Sequence, residues 1–548
     1  MAGVPGIGDY LISRLVEMGV GHVFGVPGDY VLGFFEKLTH SPLKVINTND
    51  EQGAGFAADA YARVKGLGVV CVTYGVGGFK IVNTTAQAYA EKSPVLVISG
   101  APGIQERHLH TMLHHKVSTY DDQIRIFERV TVSSACLSDP ARAFSEIDRV
   151  LSAIVTSKRP GYLELPRDMV GVVPPAAGLH IPAVTSVPPV DPGMAREALA
   201  ESIALINRAA RPVILAGVEV SRYDLAENVM ALASRANIPV ASTILGKSAI
   251  DERHPLFMGI YAGAVGDGAV RDYVESSDCL LLIGVFPTDL DLGAYTAHLE
   301  TRKIIAISSE KTTIGYHAYE GTGFAILEGL AVAGLTRHDA GGIPHAEKHE
   351  PLDCLALNSD PVTARRVFRI INAFIDESMI LVADVGDALF GCTEVEVMGP
   401  NRFISPAYYA SLGFAVPAGI GIKAAFPALR PLIIIGDGSF QMTGMEVSTA
   451  VRYRMDPIIV VLNNHGYGTE RPMLDGPFND VATWNYAKIP EVIGTGRGFV
   501  VRTEKEFGRA LAKAKEYDGP SILEVMLEPH DISVELQRLT ANLGKGVK

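Results

Sequence analysis

Residues 433–470 read IIIGDGSFQMTGMEVSTAVRYRMDPIIVVLNNHGYGTE, and this stretch decides the fold. An apolar, β-branched run stops at Gly436-Asp437-Gly438. A helix-length segment follows, and a second apolar run from Ile458 to Leu462 stops at Asn463-Asn464. Two parallel strands joined by a helix bring both stops to the same sheet edge. Ligands of open α/β sheets bind at the carboxyl ends of strands, so Asp437 and Asn464 are expected to meet there. Their side chains offer hard oxygens suited to Mg²⁺, which a phosphorylated ligand completes. Glycines 436 and 438 let backbone N–H groups approach phosphate oxygens.

Outward from this stretch the same grammar repeats. Short apolar runs recur at VVCVTY, PVLVISG, PVILAG, CLLLIGVF and KIIAIS, separated by helix-length segments such as Pro192–Arg208. Continuous apolar strands alternating with helices predict an α/β chain of mainly parallel sheets flanked by helices. A length of 548 residues exceeds one core. Proline-rich, charge-poor Val172–Pro192 reads as a linker, and Arg337–Pro351 as a second. Three domains are therefore expected at 1–175, 190–338 and 352–548. The tripeptide Gly266-Asp267-Gly268 follows no apolar strand and reads as a loop.

A net charge of −13 argues against a general nucleic-acid or anionic-membrane binder. The five cysteines are scattered, without CxxC pairs, as in a reducing compartment. With no apolar run near the length of a membrane span and no signal-like N-terminus, a soluble cytoplasmic protein is expected.

The 24 residues between Gly438 and Asn463 give the spacing of the GDG…NN motif of thiamine diphosphate enzymes. The whole chain resembles the 2-oxo-acid decarboxylases, closest to the phenylpyruvate and indolepyruvate branch, with pyruvate decarboxylases further off. The resemblance implies a thiamine diphosphate-binding fold with a Rossmann-like middle domain. It also implies thiamine diphosphate and Mg²⁺ as cofactors, with Asp437, Asn464 and the Gly466 carbonyl on the metal. Gly436, Gly438, Ser439 and Tyr467 join these around the cofactor. Gly386 and Asp387 sit near its aminopyrimidine, Ala410 supplies a carbonyl, and Leu412 is the apolar wedge beneath it.

In the first domain VPGD places Asp29 beyond a short strand, where a carboxylate either caps a helix or reaches a ligand. The resemblance favours the ligand. Glu51 opens a small-residue helix, where a helix-dipole role is the ordinary reading. Its spacing to Gly55-Phe56 matches the family's cofactor-activating glutamate, better than Asp50 does. GVGGF after VVCVTY is not a dinucleotide fingerprint; by resemblance Tyr74 to Gly78 line the pyrimidine side.

HLHTMLHH concentrates His108, His110, His114 and His115, which suggests metal binding. Adjacent side chains in regular structure diverge, so His114 and His115 make poor co-ligands. The tandem pair matches that of the decarboxylases, and His108 and His110 read as solvated loop residues. Glu470 in NHGYGTE matches NxGYxxE. Asp29, Glu51, His114, His115 and Glu470 are thus the expected catalytic set.

Leu389 stands where pyruvate-specific relatives carry a bulky aromatic, and Thr469 where relatives have Val or Ile. Met473 lies one turn beyond Thr469 if that segment is helical. These three define an expected pocket for an aromatic or long branched 2-oxo acid, converted to aldehyde and CO₂ through an enamine of the cofactor. A carboligase of the acetolactate synthase type and a pyruvate-preferring decarboxylase are the alternatives. Glu51 and Asp437 meet across a subunit interface in the family, which implies at least a homodimer and a homotetramer as the fuller assembly.

Overall fold

The apolar runs become strands because β-branched residues buried on both faces fit parallel ladders. The computed structural model describes residues 4–108, 112–175, 190–344 and 356–547. His110, Cys354, most of the first expected linker and the later part of the second lie outside these.

Three sheets follow in chain order. The first joins β1 (His22–Gly25), β2 (Lys44–Asn47), β3 (Gly68–Val72), β4 (Val95–Ala101), β5 (Ser133–Cys136) and β6 (Gly161–Pro166) in the order β2-β1-β3-β4-β6-β5. Every neighbouring pair is parallel. The second holds β7 (Pro212–Ala216), β8 (Val240–Ser242), β9 (Phe257–Ile260), β10 (Cys279–Ile283), β11 (Ile304–Ile307), β12 (Lys311–Ile314) and β13 (His317–Glu320), ordered β13-β12-β11-β10-β7-β8-β9. Its antiparallel pairings are β11 with β12 and β12 with β13, so β12 alone runs against the rest, at one edge. The third comprises β14 (Met379–Ala383), β15 (Phe403–Ile404), β16 (Arg430–Gly436), β17 (Ile458–Asn463), β18 (Arg497–Val501) and β19 (Ser521–Met526), ordered β15-β14-β16-β17-β19-β18. This all-parallel order repeats that of the first sheet, a duplication for which the sequence carries no visible repeat.

The chain packs as two compact units. One gathers the N-terminal stretch with Val416–Ala428 and Thr443–Met455, and the other holds the middle sheet with the third sheet. In the first unit Ile420, Ala424 and Ala450 share a core with Phe24, Ala57 and Val70. Gly421 belongs here for steric reasons, since a Cβ would lie 2.0 Å from the Ala57 carbonyl oxygen. In the second unit one apolar core runs from Ile244 and Val265 through Phe368 and Leu389 to Leu432, Val460 and Leu539.

Local signals behave as residue chemistry predicts. The helix Pro192–Arg208 starts at its proline, with Asp191 accepting N–H groups of Gly193 and Met194. Asp267 similarly caps the helix Gly268–Glu275, so that glycine pair serves a helix start. Cys71, Cys136, Cys279 and Cys392 are unpaired thiols. No helix among the described residues is long and apolar enough to cross a membrane.

Candidate functional site

In the second unit the carboxyl ends of β14, β16 and β17 lie side by side, and they carry the residues singled out from sequence. Asp437, immediately after β16, is 1% exposed. Its carboxylate accepts the N–H of Gly438 at 2.7 Å and of Gly466 at 3.1 Å. No lysine or arginine pairs with it among the described residues, and burial raises its pKa to about 6. Asn464, one residue past β17, is also buried. Asn463 instead turns into the sheet and donates to Glu524 at 2.8 Å, so the two asparagines divide into a ligand candidate and a sheet tie. A Cβ added at Gly436 would meet open space, whereas one at Gly438 would strike the Tyr467 ring at 2.8 Å. A buried carboxylate without a cationic side-chain partner among the described residues, at the same sheet edge as a buried asparagine and an open backbone position, fits a divalent cation carrying a phosphorylated ligand.

Next to this edge a fully buried carboxylate, Asp384, organises the loop that precedes Ala415. It accepts N–H bonds from Val385, Gly413 and Ala415 at 3.0, 3.1 and 2.8 Å, and a bond from the Ser439 hydroxyl. Burial lifts its pKa to about 6 despite these donors. The loop so pinned carries Ala410, at φ +59°, and the half-buried Leu412, which is kept out of the apolar core as a wedge requires. Gly386 has φ +80° and ψ −146°, a region open essentially to glycine alone. Asp387 beside it accepts the Ser533 N–H with both oxygens, and burial raises its pKa to about 6.

The expected substrate-pocket residues take different places. Leu389 is 1% exposed within the apolar core. Thr469 is half-buried, and its Oγ1 would lie 3.0 Å from a Cβ at Gly386. Met473 is half-buried in a run of turns, where its N–H reaches the Glu470 carbonyl at 3.0 Å, so the conditional helix does not form. Glu470 is exposed. Alongside this segment is a cavity of about 440 Å³ lined by Gly468, Arg471, Pro472 and, from the C-terminal part, Ile532, Gln537 and Thr540.

The first unit holds the other candidates. Asp29 does not cap a helix: the helix Leu32–Thr39 begins after Val31 without a side-chain cap. Instead Asp29 Oδ2 lies 2.8 Å from His114 Nε2, and Arg167 approaches the same oxygen at 3.7 Å. Tyr30 stacks on the His114 ring at 4.8 Å and donates to the His114 carbonyl at 3.2 Å. His115 has φ +68°, a left-handed conformation that swings the two adjacent rings to within 4.7 Å. The argument that neighbouring histidines diverge assumes regular backbone and fails here. Ligand atoms of Asp29, His114 and His115 all lie within 4.8 Å of one another. The Nδ1 of His115 is buried without a hydrogen-bond partner among the described residues.

Glu51 begins the helix Glu51–Lys65, and Asp50 is its N-cap, accepting the Gln52 N–H at 2.8 Å. The cap therefore falls to Asp50 and leaves the Glu51 carboxylate free of that task. Glu51 is 9% exposed and accepts from Lys80 Nζ at 2.7 Å; Lys80 also pairs with Asp50. Glu446, buried and with its pKa raised by burial, accepts the N–H groups of Asn49 and Asp50 at 3.0 and 3.1 Å. It thereby fixes the turn that presents Glu51. Neither Lys80, Glu446, Asp384 nor Arg167 carries a spacing signal in the sequence, since their partners are set by folding alone.

Known proteins match over the same length. The N-terminal TPP binding domain of thiamine pyrophosphate enzymes matches residues 6–126, their central domain residues 199–325, and their C-terminal TPP binding domain residues 384–525. The chain is 37% identical to an indole-3-pyruvate decarboxylase of Azospirillum brasilense over 97% of both chains. It is 34% identical to an alpha-keto-acid decarboxylase of Mycolicibacterium paratuberculosis, covering 98% of this chain and 96% of the relative. A pyruvate decarboxylase of Kluyveromyces lactis is 31% identical over 96% of each.

Proposed function

We propose an aromatic or long branched 2-oxo acid as the substrate of this chain, which belongs to the thiamine pyrophosphate enzyme family. The protein is a thiamine diphosphate-dependent 2-oxo-acid decarboxylase. The observation that carries the aromatic preference is its full-length likeness to a protein named for indole-3-pyruvate. A cavity of about 440 Å³ between Gly468, Arg471 and Pro472 on one side and Ile532, Gln537 and Thr540 on the other is large enough for such a side chain.

In this reading Asp437, Asn464 and the Gly466 carbonyl hold Mg²⁺ and through it the diphosphate. Gly436, Gly438, Ser439 and Tyr467 surround that end, while Gly386, Asp387, Ala410 and Leu412 seat the rings. When bound, thiamine diphosphate supplies the nucleophilic carbon and the electron sink for loss of CO₂. Glu51 holds a proton at its carboxylate against the pyrimidine. Asp29, His114, His115 and Glu470 manage protonation at the reacting carbon and release of the aldehyde, acting as a coupled set. Leu412 and the surrounding apolar walls exclude water, which favours a charge-dispersed state over a carboxylate.

The domain ranges 1–175, 190–338 and 352–548, a cytoplasmic location and a homodimer or dimer of dimers complete the assignment; sedimentation of an active monomer contradicts the last. Comparing kcat/KM for phenylpyruvate, indolepyruvate, 4-methyl-2-oxopentanoate and pyruvate tests the substrate. The aromatic acids are expected to lead, and a clear preference for pyruvate overturns the reading.

A further inference from the structure

The glycine-rich stretch Tyr74–Gly78, a turn that opens the helix Val76–Lys80, borders both candidate reactive groups of the first unit. Gly75 has φ +68°, and a Cβ there would come within 2.5 Å of the His115 carbonyl oxygen and 2.8 Å of its Cβ. Gly77 faces the other way: its added Cβ would lie 3.3 Å from Glu51 Oε1. The backbone of this loop is therefore a common wall between Glu51 and His115, and a shift in it moves what both groups rest on.

One side chain fixes that wall. Gln123, fully buried in the helix Asp122–Phe127, accepts the Gly75 N–H on Oε1 at 2.7 Å. Its Nε2 donates to Ser99 Oγ at 2.7 Å and to the Tyr162 hydroxyl at 2.8 Å. An amide alone among the side chains offers one acceptor and two donors in this arrangement, so the oxygen is directed at Gly75 by the two hydroxyls behind it. The hydroxyl of Tyr162 in turn donates to Glu164 at 3.1 Å, and Arg107 pairs with that carboxylate at 2.9 Å. Gly78 completes the fit, because a Cβ there would lie 2.3 Å from Gln123 Oε1. The support thus runs from a buried ion pair through Tyr162 and Gln123 to the loop.

We propose that Gln123 is a positioning residue for decarboxylation: by holding the Gly75 N–H it sets the loop against which Glu51 and His115 are aligned. The inference rests on the roles given to Glu51 and His115 above. Gln123 touches neither directly and acts through backbone.

The test compares wild type, Gln123→Met, Gln123→Glu and Ser99→Ala. Methionine keeps the length but offers no strong bond to Gly75; glutamate keeps an oxygen for Gly75 and loses both N–H donors; Ser99→Ala removes a polar partner of Gln123 and leaves the Gly75 bond. Two readouts are taken: steady-state kinetics on phenylpyruvate with thiamine diphosphate and Mg²⁺, and deuterium uptake of the peptide 73–80 in the cofactor-free protein. Gln123→Met is expected to lower kcat at least about tenfold with KM within about threefold, since small misplacements of reacting groups are costly in rate. Its loop uptake rises, while Ser99→Ala and Gln123→Glu keep loop uptake near wild type. Should Gln123→Met fail to fold, Gln123→Glu against Ser99→Ala decides through the uptake of 73–80. Unchanged kcat and uptake in Gln123→Met, equal losses in Ser99→Ala, or raised uptake in Gln123→Glu overturn the proposal. A wild type that makes no aldehyde defeats the substrate reading instead, and the uptake still decides the role of Gln123.

Discussion

Lys80 Nζ donates to Glu51 Oε2 at 2.7 Å and so orients the carboxylate expected to meet the cofactor. Lys80 is about half exposed, so the ion pair adds at most about 1 kcal/mol to stability. Its effect belongs to catalysis: Lys80→Met should lower kcat about tenfold with little change in Tm. Glu51→Gln, which removes the proton-holding group, should lower kcat by about 10²-fold or more. Measuring kcat and Tm together checks both, and a Lys80→Met enzyme with wild-type kcat contradicts the orienting role.

Asp437 links cation binding to pH. Burial raises its folded pKa to about 6, above its unfolded value, so in the metal-free protein its contribution favours folding below about pH 4 and is lost as pH rises through 6. A shift of about two units corresponds to about 3 kcal/mol. Mg²⁺ binds the ionised form, so the rise in Tm on adding Mg²⁺ and thiamine diphosphate should grow between pH 5 and 7.5. Asp437→Asn should flatten that dependence. Thermal melts across this range, with and without the cofactors, measure it.

Asp384 sits under the loop that carries Leu412. Asp384→Ala would strand the N–H groups of Val385, Gly413 and Ala415 and the Ser439 hydroxyl, at a cost of about 3 kcal/mol or more. Asp384→Asn keeps the shape and one acceptor, and should lose less stability while still lowering kcat. Denaturant melts paired with kinetics separate the two effects.

These residues also mark how far the sequence could be read. The parallel sheets were legible because buried strands write continuous apolar runs, and Asp437 and Asn464 because strand ends are punctuated by glycine and asparagine. Asp29 and His114, 85 residues apart in the chain, lie 2.8 Å from each other, a contact no local spacing announces. Glu446, Asp384 and Gln123 were silent: each is an ordinary polar residue whose meaning lies in backbone N–H groups supplied from elsewhere in the fold. His114 and His115 differ for another reason: adjacent side chains diverge only on regular backbone, and His115 adopts φ +68°. Likewise helical spacing cannot show that 468–473 settles into turns, nor that Leu389 is buried within the apolar core.

The pocket reading makes a further prediction about size. Thr469 meets Gly386 where β14 and β17 end, so enlarging either closes the same space. Gly386→Ala also adds about 1–3 kcal/mol of backbone strain at φ +80°. Thr469→Phe should therefore depress kcat/KM for phenylpyruvate more than for pyruvate, and an equal loss for both acids argues that Thr469 lies away from the substrate side chain.

The most direct test of the whole account is the product made from phenylpyruvate with thiamine diphosphate and Mg²⁺. Aldehyde and CO₂ should appear in equal amounts, and Glu51→Gln should lower the rate of both together by about 10²-fold or more. Accumulation of an acyloin or acetolactate-type product in place of free aldehyde, or no CO₂ from any acid of the panel, would contradict it.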